Sequence, residues 1–367
     1  MTHNNQNKND KLFDTLKKDI SEGGFKSDLT TDFSELKEFF LNSDRKNQLA
    51  GMGKFKAFFY MSWWLLKELL LKLNPTRRLV LLIGIILLFS TGHFGVSGSE
   101  VNFSSNTSIF GGIIILFVLM LELKDKLLAK DELSAGKSVQ SALMSERNPK
   151  VNGWNIWLFT QPANDVGGDL VDIVKVNKEK FGITLADVSG KGLAAALLMA
   201  KLQTIIRAFA PDFTSVAAFG EKINKVFHKD ILPNSFASMA YIQIAENSGS
   251  IELLNAGHLP PLLIQAKNIK QLGKGNAALG LMNDSKYHTE NLEMSTGDYL
   301  LVYSDGVSEA RNINSEFFGV ERISNFINNT TYNTPEQLGQ KLLNHIYSFI
   351  GECKRHDDLS IVILKKE

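Results

Sequence analysis

Two apolar runs narrow the fold of this chain more than any other feature: Leu79 to Val96 reads LVLLIGIILLFSTGHFGV, and Ile109 to Leu121 reads IFGGIIILFVLML. The first holds about 18 residues without an acid, lysine or arginine, near the shortest helix that spans a bilayer. The second, even with Thr107, Ser108 and Leu123 beside it, would alone fit a buried core helix equally well. Together they say more. The connecting stretch SGSEVNFSSNTS has no Lys or Arg, whereas Arg77 and Arg78 flank one side and Lys124, Lys126 and Lys130 the other. The positive-inside rule then predicts a two-pass hairpin, residues 79–96 and 107–123, in the inner (cytoplasmic) membrane with the N-terminus and the segment beyond residue 123 in the cytoplasm. His93 has no visible partner and is read as an interfacial histidine without a function of its own.

The flanks fit that reading. Residues 1–53 are rich in Asn, Lys, Asp, Ser and Gly and are expected to be mobile or only locally helical. The apolar stretch starts too late for a cleaved secretion signal. Residues 54–73 carry Phe58, Phe59, Tyr60, Trp63 and Trp64 among lysines, the pattern of an interfacial amphipathic helix resting on membrane lipid. Residues 124–147 are charged and helix-favouring, with Leu127, Leu128, Val139, Ala142 and Leu143 at roughly helical spacing. They read as a linker helix. The heptads are imperfect and Gly136 weakens the middle, so a plain linker and a homodimerising helix both stay open.

Charge and cysteine count exclude several classes. Forty Lys and Arg against 39 Asp and Glu leave no basic excess for nucleic acid. One cysteine, Cys353, rules out an intramolecular disulfide and a multi-thiolate zinc site, and reads as an inert thiol.

Residues 148–367 alternate β-rich runs (FGITLADV, SFASMAYIQIA, SIELLNA, DYLLVYSD) with helical stretches at 194–210, 216–229 and 335–350, which predicts an α+β sandwich. Four short segments place aspartate beside glycine or at a strand end: Asp165-Val-Gly-Gly-Asp169, Asp187-Val-Ser-Gly190-Lys-Gly192, Ser304-Asp305-Gly306 and His356-Asp357-Asp358. Any one could be an ordinary turn. As a set of carboxylates with few neutral ligands they suit hard divalent cations such as Mg²⁺ or Mn²⁺. Two such ions, roughly 3.5 to 4 Å apart, activate water and clamp a phosphoryl group without a protein nucleophile.

The segments DVGGDLVD, LADVSGKGLAAALLMAKLQ, NAGHLPPLL, LVYSDGVSEARN and HDDLSIVIL, in this order over about residues 150–367, resemble the SpoIIE-like branch of the PPM metal-dependent serine/threonine protein phosphatases. The resemblance implies a β-sandwich of two antiparallel sheets flanked by helices, with a dinuclear Mn²⁺ or Mg²⁺ site at one end. It implies Asp187 as the bridging carboxylate, the Val188 carbonyl as an extra ligand, and Asp169, Asp305 and Asp357 as further metal ligands, with Asp187 and Asp305 carrying catalysis. Strand alternation turns Asp358 away from Asp357, yet the residues alone leave the choice between them open. The implied substrate is a phosphorylated regulatory protein of the anti-anti-sigma type.

Other motifs stay bland beside these. His258 in the NAGHLPP loop reads as structural support, and Ser189-Gly190-Lys191-Gly192 as either an anion-facing helix start or a tight turn. The chain departs from the wider superfamily in having Ser189 where a histidine stands, which leaves leaving-group protonation without a named residue. It also lacks the Leu-Pro step after Gln140 and Leu143. A non-catalytic membrane-tethered adaptor with this fold is therefore the second reading, and a sensor hairpin with so short an outer loop the third.

Overall fold

Asn74-Pro75 divides the first two helices. In the computed structural model, which describes residues 45, 48–49, 51–90, 93–96, 103–229, 231–266, 268–273 and 275–367, α1 spans Lys54–Lys72 and α2 spans Pro75–Phe89. Pro75 suits the first helical position because it has no N–H to leave unsatisfied, and the Asn74 side chain accepts from Thr76 N at 3.3 Å. Arg78 reaches back to the carbonyls of Leu70, Leu71 and Leu73, closing the end of α1. The chain divides into two units, residues 1–127 and 128–367.

The expected first span, 79–96, is helical only as far as Phe89. Ser90, Thr91 and Gly92 are weak helix formers, and His93–Val96 instead forms β1, paired antiparallel with β2 (Phe103–Asn106). At 15 residues α2 is about 22 Å long, short of a hydrocarbon core of about 30 Å. The expected second span and linker are one continuous helix, α3 (Thr107–Leu143, 37 residues). Helix propensity of the surrounding Leu, Lys, Glu and Ala outweighs the cost of Gly136, about 1 kcal/mol. Where α2 meets α3, a Cβ on Gly111 would lie 2.4 Å from Leu88 N, so only glycine permits this approach. Arg77 pairs with Glu122 and Asp125 across the same two helices. Ile109, Ile113, Leu116, Phe117, Leu119 and Met120 of α3 are exposed. Most of the expected segment 1–53 lies outside the described residues.

The second unit begins at Leu128 rather than 148, because the last turns of α3 are bonded into it. Its strands are β3 (Trp154–Gln161), β4 (Asp169–Lys175), β5 (Lys180–Val188), β6 (Ala237–Ala245), β7 (Ser250–Ala256), β8 (Leu262–Gln265), β9 (Asn268–Gln271), β10 (Glu290–Glu293), β11 (Tyr299–Tyr303) and β12 (Leu359–Lys366). They form two antiparallel five-stranded sheets, ordered β10-β7-β6-β5-β4 and β3-β12-β11-β8-β9. Alternation along each strand sorts the side chains. Val171, Ile183, Leu185, Ile242, Leu300, Val302, Val362 and Leu364 meet between the sheets. Leu170, Ala186 and Tyr241 face outward under α4 (Gly192–Phe209) and α5 (Val216–Lys229). Trp157, Leu301 and Ile361 face outward on the other sheet, under α7 (Gly319–Asn329) and α8 (Pro335–Ile350). A single-turn helix, α6 (Asp305–Ser308), follows β11. The result is the expected α+β sandwich of two antiparallel sheets between helices. Among the described residues two helices are long and apolar enough to cross a membrane, α3 and the segment Gly192–Asp212; the latter buries Met199, Leu202 and Ile206 on its sheet and is a core helix.

Candidate metal centre

Asp169 opens β4 directly opposite Asp187 near the end of β5, and both belong to the face that carries Val171, Ile183 and Leu185 inward. Asp305 starts α6 immediately after β11, and Asp357 stands just before β12, so the second sheet brings its acids to the same end. Their electrostatics record the crowding. Burial first, then Asp305, Asp357 and Asp358, push the Asp187 carboxyl up to about 7. Asp169 is raised well above the carboxylate range by burial, Asp187 and Asp358, and Asp305 is raised by burial, Asp357 and Glu309. Asp169 Oδ2 is buried without a hydrogen-bond partner.

Asp357 and Asp358 are used differently. The Asp358 carboxylate is buried and accepts from backbone N–H groups of Ala163 (2.7 Å), Gly168 (2.8 Å) and Asp169 (3.3 Å), holding the loop that delivers Asp169. Asp357 lines the cavity and accepts from Lys191 Nζ at 3.0 Å. Gly168 leaves room for the β5 end: a Cβ there would lie 2.9 Å from the Val188 carbonyl and 3.8 Å from Asp187 Oδ1. Asp358→Asn is expected to destabilise the chain by about 2 kcal/mol, since an amide hydrogen would face bonded N–H groups. Asp357→Asn is expected to leave stability nearly unchanged while weakening metal binding. Urea melts beside calorimetric metal titration check both; equal destabilisation would refute the distinction.

The loop has a second clasp that the sequence does not advertise. Gln140 of α3 donates to Gly167 O (2.8 Å) and accepts from Gly167 N (3.1 Å), two residues before Asp169. The same helix end is pinned further on, where Gln203 and Arg207 donate to Leu143 O and where Asp172, 2% exposed, accepts from Ser145 and twice from Arg207. These partners lie 27 to 64 residues apart, beyond any local pattern.

A cavity of about 730 Å³ opens over the acids, walled by Asp187, Asp305, Asp357, Lys191, Phe236 and His258. His258 is buried, its Nδ1 lies 2.9 Å from Ser238 Oγ, and burial lowers it to about 4, so it is a neutral imidazole near pH 7. Its backbone closes reciprocally on Asn255, as a structural turn residue would. Ser189 Oγ accepts from Phe236 N and is likewise structural. Gly190 and Gly192 both take positive φ, which meets the tight-turn reading of that segment. Among the described residues no group of three or more His, Cys, Asp or Glu side chains is already closed into a ligand shell. The donor set nevertheless fits hard divalent cations: it is all carboxylate with a carbonyl alongside, one buried oxygen is unpartnered, and burial with mutual repulsion raises three of the acids.

Comparison with known proteins gives the same neighbourhood. The family model for Stage II sporulation protein E (SpoIIE) matches residues 177–367, just over half of the chain. Protein IcfG of Synechocystis is 26% identical over 296 residues, 72% of this chain and 46% of that one. The phosphoserine phosphatase RsbU of Bacillus subtilis is 23% identical over 240 residues, 65% of this chain and 71% of that one. The chain thus spans about half the length of IcfG. The SiaA-PP2C domain of Pseudomonas aeruginosa superposes with a TM-score of 0.58 at 15% identity, covering 66% of this chain and 99% of that domain.

Proposed function

The chain belongs to the SpoIIE family, and from that membership we propose that it is a membrane-anchored, metal-dependent serine/threonine protein phosphatase. The observation that carries the reading is the convergence of Asp187, Asp305 and Asp357 from two sheets on one cavity, with Asp169 buried opposite Asp187, in an arrangement whose burial and mutual repulsion call for cations. The similarity to RsbU, a phosphoserine phosphatase, supports it.

Asp187 would bridge two Mn²⁺ or Mg²⁺ ions, with Asp169, Asp305, Asp357 and the Val188 carbonyl as the remaining protein ligands. When bound, such ions supply an activated water and neutralise charge on the transferring phosphoryl oxygens. The protein's own part is positioning. Asp358 and Gln140 fix the loop that bears Asp169, and the β4–β5 register fixes Asp187 opposite it. Lys191, now on Asp357 and the His356 carbonyl, lines the same cavity and would offer its charge to a phosphoryl oxygen there. The test is hydrolysis of a phosphoserine peptide and of para-nitrophenyl phosphate by the full chain with Mn²⁺ or Mg²⁺. Turnover abolished by chelation is expected; no turnover with metal demonstrably bound would refute the reading and favour the adaptor.

Ion binding should also be visible in stability. The native Asp187 carboxyl holds its proton up to about pH 7, whereas the unfolded group releases it near 3.8, so between these values the native state binds more protons. Stability of the ion-free chain is therefore expected to fall as pH rises from about 4 to 7, and Mg²⁺ or Mn²⁺ to restore it at the upper end. Thermal melts across this range, with and without chelator, check the sign.

The substrate we infer is a phosphorylated regulatory protein of the anti-anti-sigma type. The exposed apolar faces of α1, α2 and α3, with basic residues on the outer flanks, support a hairpin in the inner membrane and both ends in the cytoplasm. Exposed Leu123, Leu127, Leu128 and Val139 on α3 support homodimerisation through that helix. Recovery in the membrane pellet after alkaline carbonate, and cross-linking at Val139, are the expected outcomes; release by carbonate would refute the anchor.

A further inference from the structure

Beside the carboxylate cavity lies a second pocket of about 260 Å³, and the two share Lys191, Glu309 and Asp357 in their walls. The rest of its charged lining is basic: Arg311, Lys354 and Arg355, with His356 next to them. Four Lys and Arg side chains thus face two carboxylates. Asp357 is committed to a cation in the reading above, which leaves Glu309 as the pocket's own acid. Three of the basic groups are held in place. Arg355 donates to the carbonyls of Gln161 (3.4 Å) and Pro162 (3.2 Å), Arg311 stacks over the Phe317 ring at 4.8 Å, and Lys191 Nζ donates to His356 O at 2.5 Å. Ala310, Ile350 and Leu359 complete its wall.

We propose that this pocket selects phosphoprotein segments carrying an acidic side chain next to the phosphorylated residue. The proposal rests on the phosphatase reading and adds its specificity. With a phosphoryl group at the Asp187 and Asp305 end of the cavity, the neighbouring residue of an extended substrate lies about 3.5 Å further along the chain, at the wall the two pockets share. A carboxylate entering there meets guanidinium groups already oriented, which favours paired charge-assisted hydrogen bonds over a loosely held point charge. A lysine entering would meet four like charges. No chemical step is added; the pocket chooses which substrate is presented.

The experiment compares kcat/KM of the full chain, with Mn²⁺, on phosphoserine peptides identical except for Glu, Gln or Lys beside the phosphoserine, with para-nitrophenyl phosphate as the substrate that has no flank. The Glu peptide is expected to exceed the Gln peptide by about fivefold, the margin shrinking as salt is added. Arg311→Glu and, independently, Lys354→Glu are expected to reverse the order in favour of the Lys peptide while para-nitrophenyl phosphate turnover stays unchanged. Equal kcat/KM on all three peptides, with para-nitrophenyl phosphate still hydrolysed, would overturn the selector and leave the phosphatase standing. So would variants that lose para-nitrophenyl phosphate turnover in step with the peptides. No turnover of any substrate would overturn both.

Discussion

Asp187→Asn is expected to lower metal-dependent hydrolysis of a phosphoserine peptide by at least about a thousandfold, equivalent to about 4 kcal/mol of transition-state stabilisation. The residue is where burial and three neighbouring acids concentrate on one carboxylate. An amide has nearly the same shape but no negative charge, so under the proposed reading the cations would lose a ligand while the strand register is kept. The same substitution is expected to stabilise the ion-free chain near pH 7, because it removes a buried like charge. Activity down and ion-free melting temperature up is a combination that simple misfolding cannot produce; a fall in both would show that Asp187 serves the fold instead. This is the trade expected of a site strained for its chemistry.

Trp157→Ala is expected to act on the opposite side of that ledger, destabilising the second unit by about 4 kcal/mol. Trp157 is among the largest fully buried side chains, stacks on Phe159 at a centroid distance of 5.5 Å, and lies against Gly339 of α8, where a Cβ would come within about 2.0 Å of the ring. Truncation leaves a cavity that a β-strand pinned on β12 by regular pairing cannot collapse into. Urea denaturation should show the midpoint falling, while kcat on the folded fraction stays near that of the unaltered chain. An effect below about 1 kcal/mol would mean that the layer between β3 and α8 repacks, contrary to the close fit described.

The acid constellation was legible because its chemistry is local: Asp with Gly at the end of an apolar strand run is visible in four or five consecutive residues, as in Tyr303-Ser-Asp305-Gly306. The register that sets Asp169 against Asp187 was not, since strand pairing is decided by the whole inner face of β4 and β5. Alternation separated Asp357 from Asp358 but could not say that three backbone N–H groups of residues 163–169 would claim the Asp358 carboxylate. The first apolar run was read by hydropathy through Val96, yet hydropathy does not distinguish a helix from the hairpin strand His93–Val96. The Gly167 partner of Gln140 and the Asp172–Arg207 pair were invisible for the same reason that makes them informative. They join segments far apart in sequence, and nothing in either segment names the other.

Strand β12 sits between β3 and β11 in its sheet and follows directly on Asp357 and Asp358. Its partner β3 is made some two hundred residues earlier, with Trp154 opposite Lys366. During synthesis, then, the first strand of this sheet waits unpaired on one edge until the last has emerged, and the loop bearing Asp169 waits with it for Asp358. The sheet, and the acid cluster at its end, are therefore completed only after β12 has emerged, a long-range pairing of the kind that folds late.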